Sequence, residues 1–174
     1  VLAALDQKED QSPGFITRHI LKEKRKLGQR ILLVEDNPIN QKLALVLLQK
    51  AGYSVDAVET GAQALEKSRD NLYSAALMDV QMPGMDGLEA TRLIRARETQ
   101  TGLHVPILAM TAHAMQGDRE RCLSAGMDDY LTKPLEPKVL FNALDRWIAP
   151  NTADAKPRTI DRPQESSALS DFFH

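Results

Sequence analysis

Ile31-Leu32-Leu33-Val34-Glu35-Asp36-Asn37-Pro38 decides how this chain folds. Four apolar residues run on without alternating, as in a parallel strand covered on both faces. A carboxylate pair follows at once. Asn37 then offers an N-cap, and Pro38 takes the first helical position. The stretch therefore reads as strand, acidic turn and helix. The helix carries Ile39, Leu43, Val46 and Leu47 on one stripe and stops near Ala51-Gly52.

The same unit recurs downstream. Ser54 to Val58 reads as a second strand, and Thr60 with Gln63 resembles a capping box opening a helix to about Arg69. A third strand covers about 74–79, and Asp86 with Glu89 opens a helix bearing Ala90, Leu93, Ile94 and Arg97 on one side. A fourth strand at 105–110 precedes a helix of about 114–125 that stops at Gly126. A fifth strand, about 128–132, leads into a helix from Glu136-Pro137 with Leu140, Ala143, Leu144, Trp147 and Ile148 on one face. Such alternation predicts an α/β fold, a doubly wound parallel sheet with helices on both faces.

Composition narrows the function classes. Apolar residues form 43% of 174, enough for an ordinary core. Basic and acidic residues number 22 and 24, so no overall field favours nucleic acid or an anionic membrane. Cys122 is the single cysteine, which excludes a disulfide framework within the chain. No stretch approaches the roughly 18 apolar residues of a membrane span. A cytoplasmic setting is expected, with any membrane anchor belonging to a longer parent chain.

Chemistry collects at the strand ends. Glu35 and Asp36 follow the first strand, Asp79 ends the third, Thr111 ends the fourth, and Lys133-Pro134 follows the fifth. In an open α/β sheet those ends line the ligand crevice. Two like charges about 4 Å apart repel by roughly 4 kcal/mol at an effective dielectric near 20. Three carboxylates in one pocket therefore raise a pKa or recruit a cation. An all-oxygen set without His or Cys favours Mg²⁺. Mg²⁺ leaves one carboxylate available as a nucleophile for phosphoryl transfer, with lysine and hydroxyl on the phosphoryl oxygens. A cis peptide at Lys133-Pro134 would fix the turn that carries the amine.

Four motifs occur in order: Glu35-Asp36-Asn37-Pro38; Met78-Asp79-Val80-Gln81-Met82-Pro83-Gly84-Met85-Asp86-Gly87; Ala109-Met110-Thr111-Ala112; and Asp129-Tyr130-Leu131-Thr132-Lys133-Pro134. Over about residues 30–149 the chain resembles a receiver domain of two-component signalling, in which a response regulator takes a phosphoryl group from a histidine kinase. The resemblance implies a flavodoxin-like, CheY-like sheet of order 2-1-3-4-5, the chemotaxis example of that order in general fold rules. It implies Asp79 as phosphoacceptor. It implies Mg²⁺ on Asp36, Asp79 and the Gln81 backbone carbonyl, with Glu35 on a metal-bound water. Thr111 and Lys133 would contact the phosphoryl group, and Thr111 with Tyr130 would form the switch. Gln81 and His113, two residues beyond Asp79 and Thr111, would tune the phosphate lifetime.

The segment Phe15-Ile16-Thr17-Arg18-His19, the charge run Lys22–Lys26 and the following strand are similar to the kinase–receiver join of hybrid histidine kinases. That similarity implies a histidine kinase dimerisation domain or a histidine phosphotransfer domain as partner. The partner surface is expected on the face of the fourth helix, fifth strand and fifth helix, or on the first helix near Ile39 and Leu43, which would suit a phosphotransfer helix; sequence does not choose between them. Residues 1–29 would be a linker, and 150–174 a disordered tail or linker. His19 reads as a linker histidine. Met82, Met85, Met110 and Met127 read as packing or loop residues, Cys122 as an inert thiol, and Asp128-Asp129 as a solvated strand entry.

Rival classes fit less well. A phosphatase of the haloacid-dehalogenase type needs a second Asp at the position of Gln81. A dinucleotide fold needs a glycine-rich turn where Glu35-Asp36-Asn37-Pro38 stands. A calcium loop at Asp79–Ala90 places Pro83 and Ala90 at its fifth and twelfth positions, against that motif's ligand pattern. A docking pseudo-receiver would have no need of the full set of acids, hydroxyl and amine.

Overall fold

The computed structural model describes residues 28–70, 72–112 and 116–148. The readings made of residues 1–27, of His113 and of 149–174 lie outside them. Among the described residues five strands alternate with five helices: β1 (Arg30–Val34), α1 (Pro38–Lys50), β2 (Ser54–Val58), α2 (Gly61–Asp70), β3 (Ala75–Asp79), α3 (Gly87–Thr101), β4 (Ile107–Thr111), α4 (Gln116–Ser124), β5 (Asp129–Thr132) and α5 (Pro137–Trp147). All neighbours are parallel, and the order is β2-β1-β3-β4-β5.

Strand position explains the hydrophobic runs. Central β3 and β4 are buried at every residue, whereas edge strands β2 and β5 are not. Successive side chains then feed opposite layers. Leu32, Val34, Ala76, Met78, Ile107 and Ala109 pack with Ala64, Ala90 and Ile94 of α2 and α3 and with Cys122 of α4. Ile31, Leu33, Leu77, Leu108 and Met110 pack with Ala44, Leu48, Leu140 and Leu144 of α1 and α5. Fully burying each of the larger aliphatics is worth about 1.5–3 kcal/mol. Met82, Met110 and Met127 are buried packing residues, and burial pushes the Cys122 thiol above its ordinary range.

The caps form as the sequence predicts. Asn37 Oδ1 accepts from the Ile39 and Asn40 amides at 3.0 and 3.2 Å. Thr60 and Gln63 bond reciprocally, amide to side chain, each at 3.2 Å. Asp86 Oδ1 accepts the Glu89 amide at 2.7 Å. The Lys133–Pro134 peptide is cis.

Two expectations are corrected. The stripe Ile39, Leu43, Val46 does not face the sheet. Those residues are 78%, 48% and 38% exposed, and Ala44 and Leu48 are buried instead. Apolar residues from Leu43 to Leu48 surround the helix, so periodicity alone does not select a face. Nor are Asp128 and Asp129 solvated. Asp128 Oδ2 accepts from Arg95 and from the Ile107 amide, both at 2.7 Å. Asp129 Oδ2 accepts the Trp147 indole N–H at 2.9 Å, tying the end of α5 to the start of β5. Both acids have partners distant in sequence, which local composition does not reveal.

Arg95 organises the amino-terminal edge of β4 and β5. It also donates to the carbonyls of Gly126 and Val105, at 2.8 and 2.9 Å. His104 sits beside it, with Nε2 at 2.8 Å from Asp128 and Nδ1 at 3.4 Å from Glu98. Those two carboxylates push its pKa up to about 9, against opposition from burial and Arg95. A raised imidazole pKa gives stability that is complete below the unfolded value near 6.5 and is lost as pH rises through about 9. Screening at a half-exposed side chain reduces the contribution to about 1 kcal/mol. Urea unfolding should therefore show the gap between wild type and His104→Asn shrinking by about that amount from pH 6 to pH 10. A gap independent of pH would contradict the ion pair.

Candidate functional site

The carboxyl edge of the sheet gathers the predicted groups. Pairing of β1 with β3 through Val34 and Met78 places Glu35 and Asp36 beside Asp79. Pairing of β4 with β5 through Thr111 and Thr132 places Lys133 next to the end of β4, where its amide donates to the Thr111 carbonyl at 2.8 Å. Lys133 Nζ then lies 2.6 Å from Asp79 Oδ2 and 2.8 Å from Glu35 Oε2. Glu35, Asp36 and Asp79 each present a carboxylate oxygen within 4.8 Å of the others. They are the one such cluster of metal-capable side chains among the described residues.

Backbone donors orient the acids. Asp79 Oδ1 accepts the Gln81 amide at 3.1 Å, and Glu35 Oε1 accepts the Asn37 amide at 3.2 Å. Glu35 and Asp79 are buried, whereas Asp36 is exposed. Burial pushes the Asp79 carboxyl above the ordinary range; Lys133 and the Gln81 amide oppose this, and the Glu35 charge adds to it. Burial opposes the charge on Lys133, but Asp79 and Glu35 outweigh it and raise the amine. The three carboxylates together thus carry more negative charge than the Lys133 ammonium balances. An all-oxygen donor set with surplus charge fits a hard divalent cation such as Mg²⁺.

The other predicted residues that the structure describes lie on β4, on β5 and in the turn after β3. Thr111 is buried at the last position of β4, and the Val80 amide bonds the neighbouring Met110 carbonyl at 3.0 Å. A cavity of about 410 Å³ past the end of β3 is lined by Val80, Gln81, Pro83, Asp86, Thr111 and Arg121, among others, and not by the three acids or Lys133. Tyr130 on β5 is half-buried, with the Arg119 guanidinium 5.9 Å from its ring centre.

Sequence reasoning assigned no role to three residues that shape the site. Asn40 Nδ2 reaches Glu35 Oε1 at 3.4 Å. Gln41 Nε2 donates to the carbonyls of Glu35 and Val58. Gly87 packs its α-carbon directly beneath the Asp79 carbonyl. The i+4 and i+6 spacings of Gln41 from Asn37 and Glu35 were a usable signal for the second. Gly87 closes the second motif, but no local pattern shows that it must pass so close to the Asp79 carbonyl.

The architecture defines a doubly wound α/β domain with an acid–lysine crevice at its strand ends. The chain belongs to the response regulator receiver domain family, which matches residues 31–145. It is 47% identical over 127 residues to hybrid signal transduction histidine kinase I of Dictyostelium discoideum, covering 70% of this chain and 7% of that kinase. The chain spans no more than 15% of the length of the curated histidine kinases it matches. Its fold is similar to the receiver domain of a Pseudomonas aeruginosa PAO1 sensor histidine kinase crystallised with magnesium in the active-site cleft. That match has TM-score 0.64 and 51% identity over 69% of this chain and 97% of the other. It is also similar to a chain in the Saccharomyces cerevisiae complex of the phosphotransfer protein Ypd1 with the receiver domain of Ssk1. There the TM-score is 0.67 and identity 33%, over 69% and 88% of the chains.

Proposed function

We propose that this domain is a phosphoacceptor in a His-Asp phosphorelay, part of a hybrid histidine kinase, with Asp79 as the nucleophile. The observation that carries the reading is the Asp79 carboxylate, buried beside Glu35 and Asp36 and held at 2.6 Å by Lys133. An Asp79 oxygen attacks the phosphorus of a phosphohistidine. The O–P bond forms as the P–N bond breaks, and the electron pair leaves with the imidazole nitrogen. The product is an acyl phosphate, passed on to a second histidine or hydrolysed.

Asp36, Asp79 and the Gln81 carbonyl would hold Mg²⁺ directly, and Glu35 through a water. The ion supplies charge neutralisation on the phosphoryl oxygens. Lys133 adds a compact positive charge and Thr111 a hydroxyl donor at the same oxygens. The Gln81 amide fixes the carboxylate's rotation before attack. Phosphorylation takes Asp79 from one negative charge to about two. That change would draw Thr111 inward and let Tyr130 follow, a two-state element biased by local charge. Gln81 at the rim, with His113, would govern access of water to the phosphate.

The outward face of α1 supports a helical partner. Ile39, Leu43 and Val46 form an exposed apolar row that begins beside the acids. A histidine phosphotransfer helix laid there would bring its imidazole over Asp79.

One labelling experiment tests chemistry and surface together. With acetyl phosphate and Mg²⁺ the chain should gain one acid-stable, base-labile phosphate, and none in EDTA. Leu43→Asp should leave that labelling unchanged and slow transfer from a phosphorylated phosphotransfer protein at least about tenfold, the cost of a charge in an apolar interface. Multiple turnover of acetyl phosphate without retained label would point to a phosphatase. Unaltered transfer to the variant would remove α1 from the docking surface.

A further inference from the structure

We infer that Gln41, a residue away from the reacting atoms, is the positioning residue that aims Glu35 and Asp36 at the cation, and that it makes the site selective for Mg²⁺. The inference rests on the Mg²⁺ site proposed above. Gln41 lies in the first turns of α1, its own amide bonded to the Asn37 carbonyl at 2.9 Å. Its side-chain nitrogen donates to the Glu35 carbonyl at 3.0 Å and to the Val58 carbonyl at 3.1 Å. Two carbonyls accept from one atom, so that atom must be the NH₂ of the carboxamide.

The position of these carbonyls gives the contact its meaning. Val34 and Val58 are the last paired residues of β1 and β2. The Glu35 amide still reaches the Val58 carbonyl at 3.1 Å, but the chain then departs into the acidic turn. Gln41 adds a side-chain rung just beyond the ladder. It ties the peptide joining Glu35 to Asp36 both to β2 and to α1. With that carbonyl fixed, the plane of the peptide is fixed, and Glu35 is held on both sides, through its amide on Val58 and its carbonyl on Gln41, which limits the directions its side chain can take. Asn40, one residue earlier, steadies Glu35 Oε1 from the same helix. The carboxylates that would hold the cation are thus oriented by a second layer of hydrogen bonds from α1.

Mg²⁺ demands near-ideal octahedral geometry, whereas Ca²⁺ accepts flexible coordination at longer distances. A loosened acidic turn should therefore cost Mg²⁺ more than Ca²⁺. The experiment titrates the full chain and Gln41→Met with Mg²⁺ alone and with Ca²⁺ alone by calorimetry. Metal-free melting curves verify that the variant is folded. Outer-shell substitutions lower metal affinity by roughly 10- to 100-fold. Mg²⁺ affinity is expected to fall about tenfold, with Ca²⁺ affinity falling at most about twofold, so that the ratio narrows. Gln41→Asn, one methylene too short to reach both carbonyls, should give the same direction and serves if the methionine variant does not fold. Unchanged Mg²⁺ affinity, or an equal fall for both ions as from general destabilisation, overturns the inference while leaving the Mg²⁺ reading intact. Absence of Mg²⁺ uptake by the wild-type chain at millimolar concentration overturns both.

Discussion

Asp79→Asn should abolish incorporation of a labile phosphate, lowering labelling by at least about 10³-fold, and should leave the fold in place. The chemical half of this outcome follows from the nucleophile. A carboxamide oxygen carries no full charge and forms no stable acyl phosphate. Glu35 is no substitute, because its oxygens already face Lys133 at 2.8 Å and the Asn37 amide at 3.2 Å.

The structural half follows from electrostatics. Burial leads the causes that raise the Asp79 carboxyl, and Glu35 adds to it. A carboxyl with a raised folded pKa binds its proton more tightly in the folded chain than in the unfolded one. Ionisation at neutral pH therefore costs stability, and that cost shrinks as pH falls through the raised value. The amide removes the cost, while Lys133 keeps Glu35 as a partner. Melting in EDTA should find the variant as stable as wild type or more so. The stabilisation that Mg²⁺ gives should be smaller in the variant, because one ligand has lost its charge. Retained labelling would move the nucleophile elsewhere. A melting point far below wild type would make unfolding the cause of any loss.

How much of this was legible in the sequence depends on the range of each interaction. Strand identity was visible because β1, β3 and β4 are covered on both faces, and unbroken apolar runs record that directly. The positions of Glu35, Asp36 and Asp79 followed from where the first and third runs end and that of Lys133 from the end of the short fifth strand, and the structure brings all four together. Caps at Asn37, Thr60 and Asp86 were legible because their bonds span three residues or fewer. The buried face of α1 was not, because six consecutive apolar residues leave the choice to the sheet, which takes Ala44 and Leu48. Asp128 looked solvated because its partner Arg95 is 33 residues away. The tie from Gln41 to β2 spans 17 residues, and only the fold brings Val58 within its reach. The order of the strands came from family resemblance, since local patterns do not encode which parallel neighbours meet.

Gly87 is the clearest case of a residue whose importance exists only in three dimensions, and Gly87→Ala should be among the most damaging single-methyl changes in the domain. It directly follows Asp86, the N-cap of α3, and its amide donates to the Val80 carbonyl at 3.1 Å. That contact presses the first turn of α3 against the end of β3. A Cβ at position 87 would lie 2.0 Å from the Asp79 carbonyl oxygen and 3.0 Å from its carbonyl carbon. The need is for space, since Gly87 is absent from the glycines with positive φ. The obstacle is main chain, which has no rotamer with which to retreat. Either α3 moves off the sheet, abandoning the Gly87 amide bond to the Val80 carbonyl at 3.1 Å, or the Asp79 peptide moves and carries the carboxylate with it. Overpacking of a well-filled site costs about 1–3 kcal/mol, and a backbone collision belongs at or beyond the upper end. At about 4 °C per kcal/mol, the melting temperature should fall by at least roughly 10 °C. Acetyl phosphate labelling should slow even at temperatures where the variant is folded, because the nucleophile's backbone is displaced. Gly117→Ala on α4, with nothing within 4 Å of its added methyl, is the matched control. It should gain about 0.5–1 kcal/mol from helix propensity. If the two alanine variants melt within a degree or two of each other and label equally fast, the close approach of α3 to Asp79 does not govern the position of the acid.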